Sequence, residues 1–474
     1  MIIGQSSPQH AAMLAKAGRS SIDDIFRRAV ARRPDAVALA DPPNAAAVTG
    51  AEPRRLTFAQ ADRMITAVAG RLRHLGLQTD QVVALQMANT VDAVVTLLGI
   101  LRAGLIAMPL PLTWRQADCV AALNRVGARA LMVSGRIGAV DHCALAMEIA
   151  AEVFQIRQVC GFGPGLADGV IAFDDLYAAQ APEPPPAITR SVNPAAHTAV
   201  ITWDVGGDRP VPVARNHFEL LAAGAAVTLE SRIEPNAVIL SSLALPSLAG
   251  LGLGLVPWLL VGGSLALHHP FDDAAFLAQC GAEQPAVAVV PAPLALRLDE
   301  TEALNRDNGI KTLIAAWRAP ERMASSPNWS EPAIGFVDVP VFGETALFAA
   351  RRSGNGRPVP LMLGPVTAPR GGPGALQVVE LERMPVGTLA VRGPQVPWFP
   401  PPVGIDVVGA PAFAVRSDGF ADTGYPCTVD PASHALAITG APADGNGVRG
   451  YRVGERALAE LMAGAPHKVA IAGF

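Results

Sequence analysis

Gln81 to Trp114 reads QVVALQMANTVDAVVTLLGILRAGLIAMPLPLTW and carries three elements in a row. QVVALQM is a short apolar run with the character of a buried strand. TVDAVVTLLGILRAG is a helix that ends at Gly104, and LIAMPLPL is a second strand closed by prolines. Strand, helix and strand at this spacing predict a parallel crossover unit, the building block of α/β sheets.

The pattern extends in both directions. Upstream, SIDDIFRRAVARRPDAVALAD has Ser21 as N-cap, Asp23 and Asp24 in the first turn and Ile22, Phe26 and Ala29 at helical spacing, and then runs into a strand. LTFAQADRMITAVAGRLRHLGL sets Phe58, Ala61, Ile65, Val68 and Leu72 on one face and stops at Gly76. Downstream, VAALNRVGARALMVS repeats the theme, and the polar, proline-rich AAQAPEPPPAITRSVNPAAH predicts a linker before the strand TAVITW. AAFLAQCGAEQPAVAVVPAPLALRL, IKTLIAA and PAIGFVDVPVFG continue the alternation; from about Met384 short strands and prolines predict a β-rich unit. The expected divisions are 1–190 and 191–383 as two αβ subdomains, 384–440 as the β-rich subdomain and 441–474 as a hinge remnant.

Composition bounds the function. The 474 residues are enough for two or three folded units, and 50% hydrophobic with only 16% charged residues implies helices that are apolar on several sides. A net charge of -4, with no basic run interleaved with aromatics, argues against a nucleic-acid partner. Cys119, Cys143, Cys160, Cys280 and Cys427 are odd in number, widely spaced and without ligand partners, which predicts a reduced, cytoplasmic protein with no metal site. The start MIIGQSSPQHAAMLAKAGRSS lacks the apolar core of an export signal. LALPSLAGLGLGLVPWLLVGG, Leu243–Gly263, approaches the apolar length of a membrane span, but its prolines and glycines predict a buried helix, turn and strand instead. His268 and His269 are expected at a surface turn.

The order of these pieces resembles the adenylate-forming superfamily of acyl-CoA synthetases, luciferases and peptide-synthetase adenylation domains. The resemblance is carried by the L-x-A-G-x-x-x-x-P pattern at Leu101, Ala103, Gly104 and Pro109, then in order by LTFAQA, VPWLLVGGSLALHHPFD, VVPAPLALRL, VFGETA, GTLAVRGPQV and DGFADTG. It implies an α/β fold: a large acyl-CoA synthetase-like N-terminal domain of two parallel-sheet αβ subdomains plus a small β-rich subdomain, with most of the C-terminal domain absent. It also implies magnesium ATP as cofactor, and activation of a carboxylic acid as an acyl-adenylate.

The family's chemical positions are altered one after another. Where it carries the phosphate loop T-S-G-T-T-G-x-P-K-G, this chain has Trp203 to Pro212, with Gly206, Gly207 and Arg209 as the remnant, Asp204 and Asp208 as added negative charges and Val211 in place of the lysine. The aromatic-G-x-T-E turn becomes Phe342, Gly343, Glu344, Thr345 and Ala346, which keeps the threonine and loses the metal carboxylate. The T-G-D that anchors ribose ends in Tyr425; a phenol accepts a hydrogen bond less strongly than a carboxylate. Trp317 in WRAP fills the place of an adenine-side glycine, and Ser247 in LPSLAG stands for the acyl-site histidine. Acyl-pocket candidates are thus Ser247, Trp317 and Phe342; nucleotide-side candidates are Gly206, Gly207, Arg209, Glu344, Thr345 and Tyr425. Only 24 residues follow Gly450, so the resemblance places no counterpart of the mobile lysine; Lys468 lies too close to the hinge.

Three functions fit these letters. The first is a family member that has lost ATP-dependent adenylation and binds an acyl or carboxylic ligand, a carrier protein or an active ligase. The second is an active acid–CoA ligase with a rearranged site built on Arg209, Glu344, Thr345 and Tyr425, its C-terminal domain supplied by another chain. The third is peripheral membrane association through the charge-poor surface and the segment Leu243–Gly263.

Overall fold

The structure, a computed structural model, describes residues 18–179, 182–188, 190, 193–206, 209–304, 308–372, 374–397, 415–442, 446–448 and 451–453. Gly207, Asp208 and Lys468 lie outside the described residues, as does the chain beyond 453; of Gly206 and Arg209 only the backbone is described.

The quoted stretch folds as its letters predict. Strands Val82–Gln86 and Ile106–Pro109 pair in parallel, Val82 beside Ile106 through Leu85 beside Pro109, with helix Val91–Arg102 between them. Every residue of that helix is buried, which explains why its sequence has no polar stripe. The seven-stranded sheet runs, edge to edge, Arg209–Asn216, Thr198–Gly206, Ile106–Pro109, Val82–Gln86, Ala130–Ser134, Gln158–Phe162 and Ile171–Ala172. All neighbours are parallel except the first two strands, which form an antiparallel hairpin.

A nine-stranded sheet has Thr312–Trp317, Val287–Pro291, Val238–Ser241, Ser264–Leu267 and Val37–Ala40 side by side in its middle, with Gly335–Phe342 beyond Thr312–Trp317. Val37–Ala40 and its antiparallel neighbour Arg55–Thr57 sit in this second sheet, not with the first subdomain as expected from chain order. Its apolar letters suit either sheet, so only the tertiary pairing to Ser264–Leu267 decides. Val83 and Met132 of the first sheet and Ile239, Leu265 and Val289 of the second belong to one continuous buried cluster, with Phe26, Phe58 and Trp258 packed in it. An antiparallel six-stranded sheet starts at Leu361, earlier than the expected 384, and runs to Ile438.

The buried helix, turn and strand expected from Leu243 onward are present, while the membrane reading and the linker are corrected. Leu243–Gly263 is core: Leu248–Val261 is one buried run of helix with a π-helical turn at Leu251–Leu255, and only Leu260 and the segment's first turn approach the surface. The membrane-facing surface that the third reading needs is therefore turned inward, and among the described residues no helix is long and apolar enough to cross a membrane. The proline-rich stretch after Ala179 is not a free linker, since it lies across the helix Phe58–His74 so closely that a Cβ on Gly70 would stand 2.6 Å from the Glu183 carbonyl.

Candidate functional site

The stretch that resembles a phosphate loop is the stalk of the hairpin. Its register runs from Thr202 beside Val213 and Trp203 beside Pro212 to Gly206 beside Arg209, so the motif is drawn out as two paired strands. Trp203, 9% exposed, stands edge-on to Trp114 with ring centres 5.6 Å apart. Asp204 does not face open solvent: its Oδ2 accepts the Glu344 amide at 2.8 Å. Gly343 is required there, because its φ is +55° and a Cβ would lie 2.3 Å from Asp204 Oδ2.

Arg215 leaves the same hairpin two residues beyond Val213, on the inward face set by Val211 and Val213. It is 1% exposed and donates to Thr202 Oγ1 at 3.2 Å and to the carbonyls of Glu344 and Thr345. Its Nη1 is 3.8 Å from Glu344 Oε2. That oxygen also accepts the Leu248 amide at 2.7 Å, at the start of the buried helix run. Ser247 caps this helix through Gly250 N at 3.1 Å and accepts Arg318 Nη2 at 2.8 Å. Burial, helped by the charge of Asp204 and opposed by Arg215, pushes the Glu344 carboxyl up to about 7.

Three further candidates are core residues. Phe342 stacks on Phe348 with centres 5.9 Å apart and meets Tyr425 edge-on at 5.4 Å, an interplanar angle of 86°. Tyr425 is 2% exposed. Trp317 donates its indole N–H to Asp338 Oδ1 at 2.7 Å, and Asp338 in turn holds Arg352 through both oxygens, at 2.9 and 3.0 Å. His268, expected at a surface turn, is buried; its Nε2 accepts the Asp272 amide and its Nδ1 is 3.0 Å from Gln279 Oε1, so the second nitrogen carries the proton.

The structure thus brings Phe342, Glu344, Thr345, Ser247 and Tyr425 into one neighbourhood with Asp204, and with Arg215 and Arg318, which sequence reading did not single out. Arg215 had a signal, since alternation with Val211 and Val213 points it inward. Asp338, a lone carboxylate in the apolar strand GFVDVPVF, had another: a charge there demands a buried partner. Trp317 joins the Asp338–Arg352 pair instead.

Magnesium ATP does not fit these residues. Ala346, which the resemblance sets at the place of the metal carboxylate, is fully buried and paired with Phe342 across a short antiparallel ladder. Glu344 is already committed to Arg215 and to the Leu248 amide. The ribose position is a phenol packed against Phe342. Among the described residues no group of three or more His, Cys, Asp or Glu could hold a metal ion.

Comparison with known proteins places the fold. The structure of the anthranilate CoA ligase AuaEII with anthranoyl-AMP superposes with a TM-score of 0.69 at 17% identity, over 92% of this chain and 80% of that one. NpsA-ThdA, an artificially fused adenylation–PCP di-domain from Klebsiella oxytoca, gives a TM-score of 0.65 at 16% identity over 94% and 84%. In sequence, long-chain fatty acid transport protein 1 of Bos taurus is 34% identical over 121 residues, 26% of this chain and 18% of that protein. The chain spans less than two thirds of the curated relatives it matches. The family model described as AMP-binding enzyme matches residues 26–320, and with the two parallel sheets and the collinear motifs this places the chain in the AMP-binding enzyme family of adenylate-forming, acyl-CoA synthetase-like proteins.

Proposed function

We propose that this family member no longer adenylates: it is a pseudoenzyme that works by binding an acyl or carboxylic ligand, or a protein partner such as a carrier protein or an active ligase. The observation that carries the reading is the state of Glu344. The turn's remaining carboxylate is spent on an internal clamp to Arg215 and the Leu248 amide, and a metal would have to take it from both. Electrostatic stabilisation of a departing pyrophosphate needs donors and a metal aimed at the phosphates. Here Arg215 is aimed at Glu344 and Thr345, and Asp204 at the Glu344 amide.

The acyl side is different in kind. Ser247 and Arg318 set a hydroxyl and a guanidinium 2.8 Å apart beside a helix start, a chemistry suited to a carboxylate. The carrier-protein option draws support from the adenylation–PCP fusion among the structural relatives. The test is carboxylate-dependent pyrophosphate release with magnesium ATP, using aliphatic, aromatic and amino acids, with and without coenzyme A. Background rates throughout, with saturable binding of a carboxylic acid or acyl-loaded carrier, support the reading. Release that depends on one acid overturns it in favour of a ligase built on Arg209, Glu344, Thr345 and Tyr425.

A further inference from the structure

A cavity of about 410 Å³ lies between the last turns of helix Phe58–His74 and the proline segment 182–186 that crosses it, with Leu176 and Ala179 closing one side. Small-molecule sites start at about 300 Å³. Its walls are of two kinds. Prolines and Leu176 are apolar, whereas Arg71, Arg73 and His74 line the other side.

Basic residues in a last helical turn ordinarily answer the helix dipole, and Arg71 has a partner as well, Asp175 at 2.7 Å. Arg73 is the exception. Its Nη1 is buried and meets no acceptor. That atom is sealed by protein, so the accessible remainder of the Arg73 side chain is what lines the cavity. The one acid in the lining, Glu183, is an exposed residue whose carbonyl packs onto Gly70. The segment that roofs the cavity is held in place: Pro182 and Pro185 are half-buried and Glu183, Pro184 and Pro186 exposed, the three-residue repeat of an extended proline helix.

We propose that this cavity is a binding site for an amphipathic anion, with a carboxylate or phosphate head on Arg73 and His74 and an apolar body along the prolines and Leu176. It is built from elements other than the Ser247–Arg318 neighbourhood and stands apart from the proposed acyl ligand there. The head meets the basic side chains of one wall, and the prolines and Leu176 supply the apolar area that inorganic phosphate alone would not use.

The test is calorimetric titration of the full chain with octanoate and with octyl phosphate, against 1-octanol and inorganic phosphate as controls. One or both amphipathic anions are expected to bind, the tighter naming the head group, with each control weaker by roughly tenfold or more. Arg73→Gln should weaken the anion by a similar factor. Hydrogen exchange gives a second measure on the unaltered chain: octanoate should protect amides of Ala67–His74 and Leu176–Ala179. Absence of binding at millimolar ligand, equal binding of octanol, unchanged affinity in Arg73→Gln, or protection confined to 245–250 each overturns the proposal. The last pattern would still be compatible with a carboxylate at Ser247, so the two readings fail separately.

Discussion

The Glu344 carboxylate accepts the backbone amide of Leu248, 96 residues away in the chain, at 2.7 Å. A carboxylate at a helix start is favourable in its own right, because it answers the unpaired amides and the positive end of the dipole. With Arg215 on the same oxygen and Asp204 on the Glu344 amide, the contact fastens hairpin, turn and helix together. The charged groups of this neighbourhood are directed at each other and at backbone amides and carbonyls.

Titration of Glu344 should be visible in stability. Its carboxyl rises from 4.5 to about 7 on folding, mainly through burial, so the folded state holds the proton more tightly than the unfolded one. The contribution is fully present below pH 4.5, declines as pH rises through 7, and amounts to roughly 3 kcal/mol by linkage. Urea unfolding from pH 5 to 8 should show this decline, and Glu344→Gln should flatten part of it. Part only, since burial raises Asp41 to about 7 as well and gives it the same sign. An unaltered slope in Glu344→Gln would contradict the assignment.

Asp338→Asn should be among the most damaging conservative changes in the second sheet. The carboxylate is 0% exposed and serves Arg352 through both oxygens and the Trp317 indole besides. Removing one member of a buried pair strands the other charge, at a cost of about 3–5 kcal/mol. Denaturant unfolding measures it; a loss below about 1 kcal/mol would mean that Arg352 finds solvent.

Tyr425→Asp restores the letter that the family uses for ribose and is expected to fail. The side chain is 2% exposed and packs edge-on against Phe342, so a carboxylate there would be buried against an aromatic ring. The variant should lose several-fold more stability than Tyr425→Phe and gain no ATP affinity. Recovery of nucleotide binding by Tyr425→Asp alone would contradict the account.

All five cysteines are free and buried. Burial pushes the thiols of Cys119, Cys160 and Cys280 up to about 12, and those of Cys143 and Cys427 also rise. A thiol-reactive disulfide reagent at pH 8 should therefore label the native protein slowly and all five sites rapidly in denaturant. Fast labelling in native buffer would expose an opening motion that the packing does not suggest.

The architecture was legible because its signals are local. Gln81–Trp114 announces a crossover by apolar runs and a glycine stop, and the motif order extends that unit to the whole fold. Sheet membership was not legible for Val37–Ala40, whose partner Ser264–Leu267 lies more than two hundred residues away. The departures from the family's letters at Ala346 and Tyr425 are visible in the sequence. The arrangement around them is not, because Asp204, Arg215 and Glu344 acquire their roles only when the hairpin, the turn and the Leu248 helix meet. Asp204 illustrates the gap: by charge it reads as repelling a phosphate, and by geometry it holds the turn.

Calorimetric titration of the purified chain with magnesium ATP, and separately with AMP, tests the central claim most directly. The account predicts no heat and no competition at millimolar nucleotide, with Glu344 and Arg215 remaining bound to each other. Saturable binding of ATP at micromolar concentration would contradict it and return the hairpin Thr198–Asn216 to service as a phosphate loop.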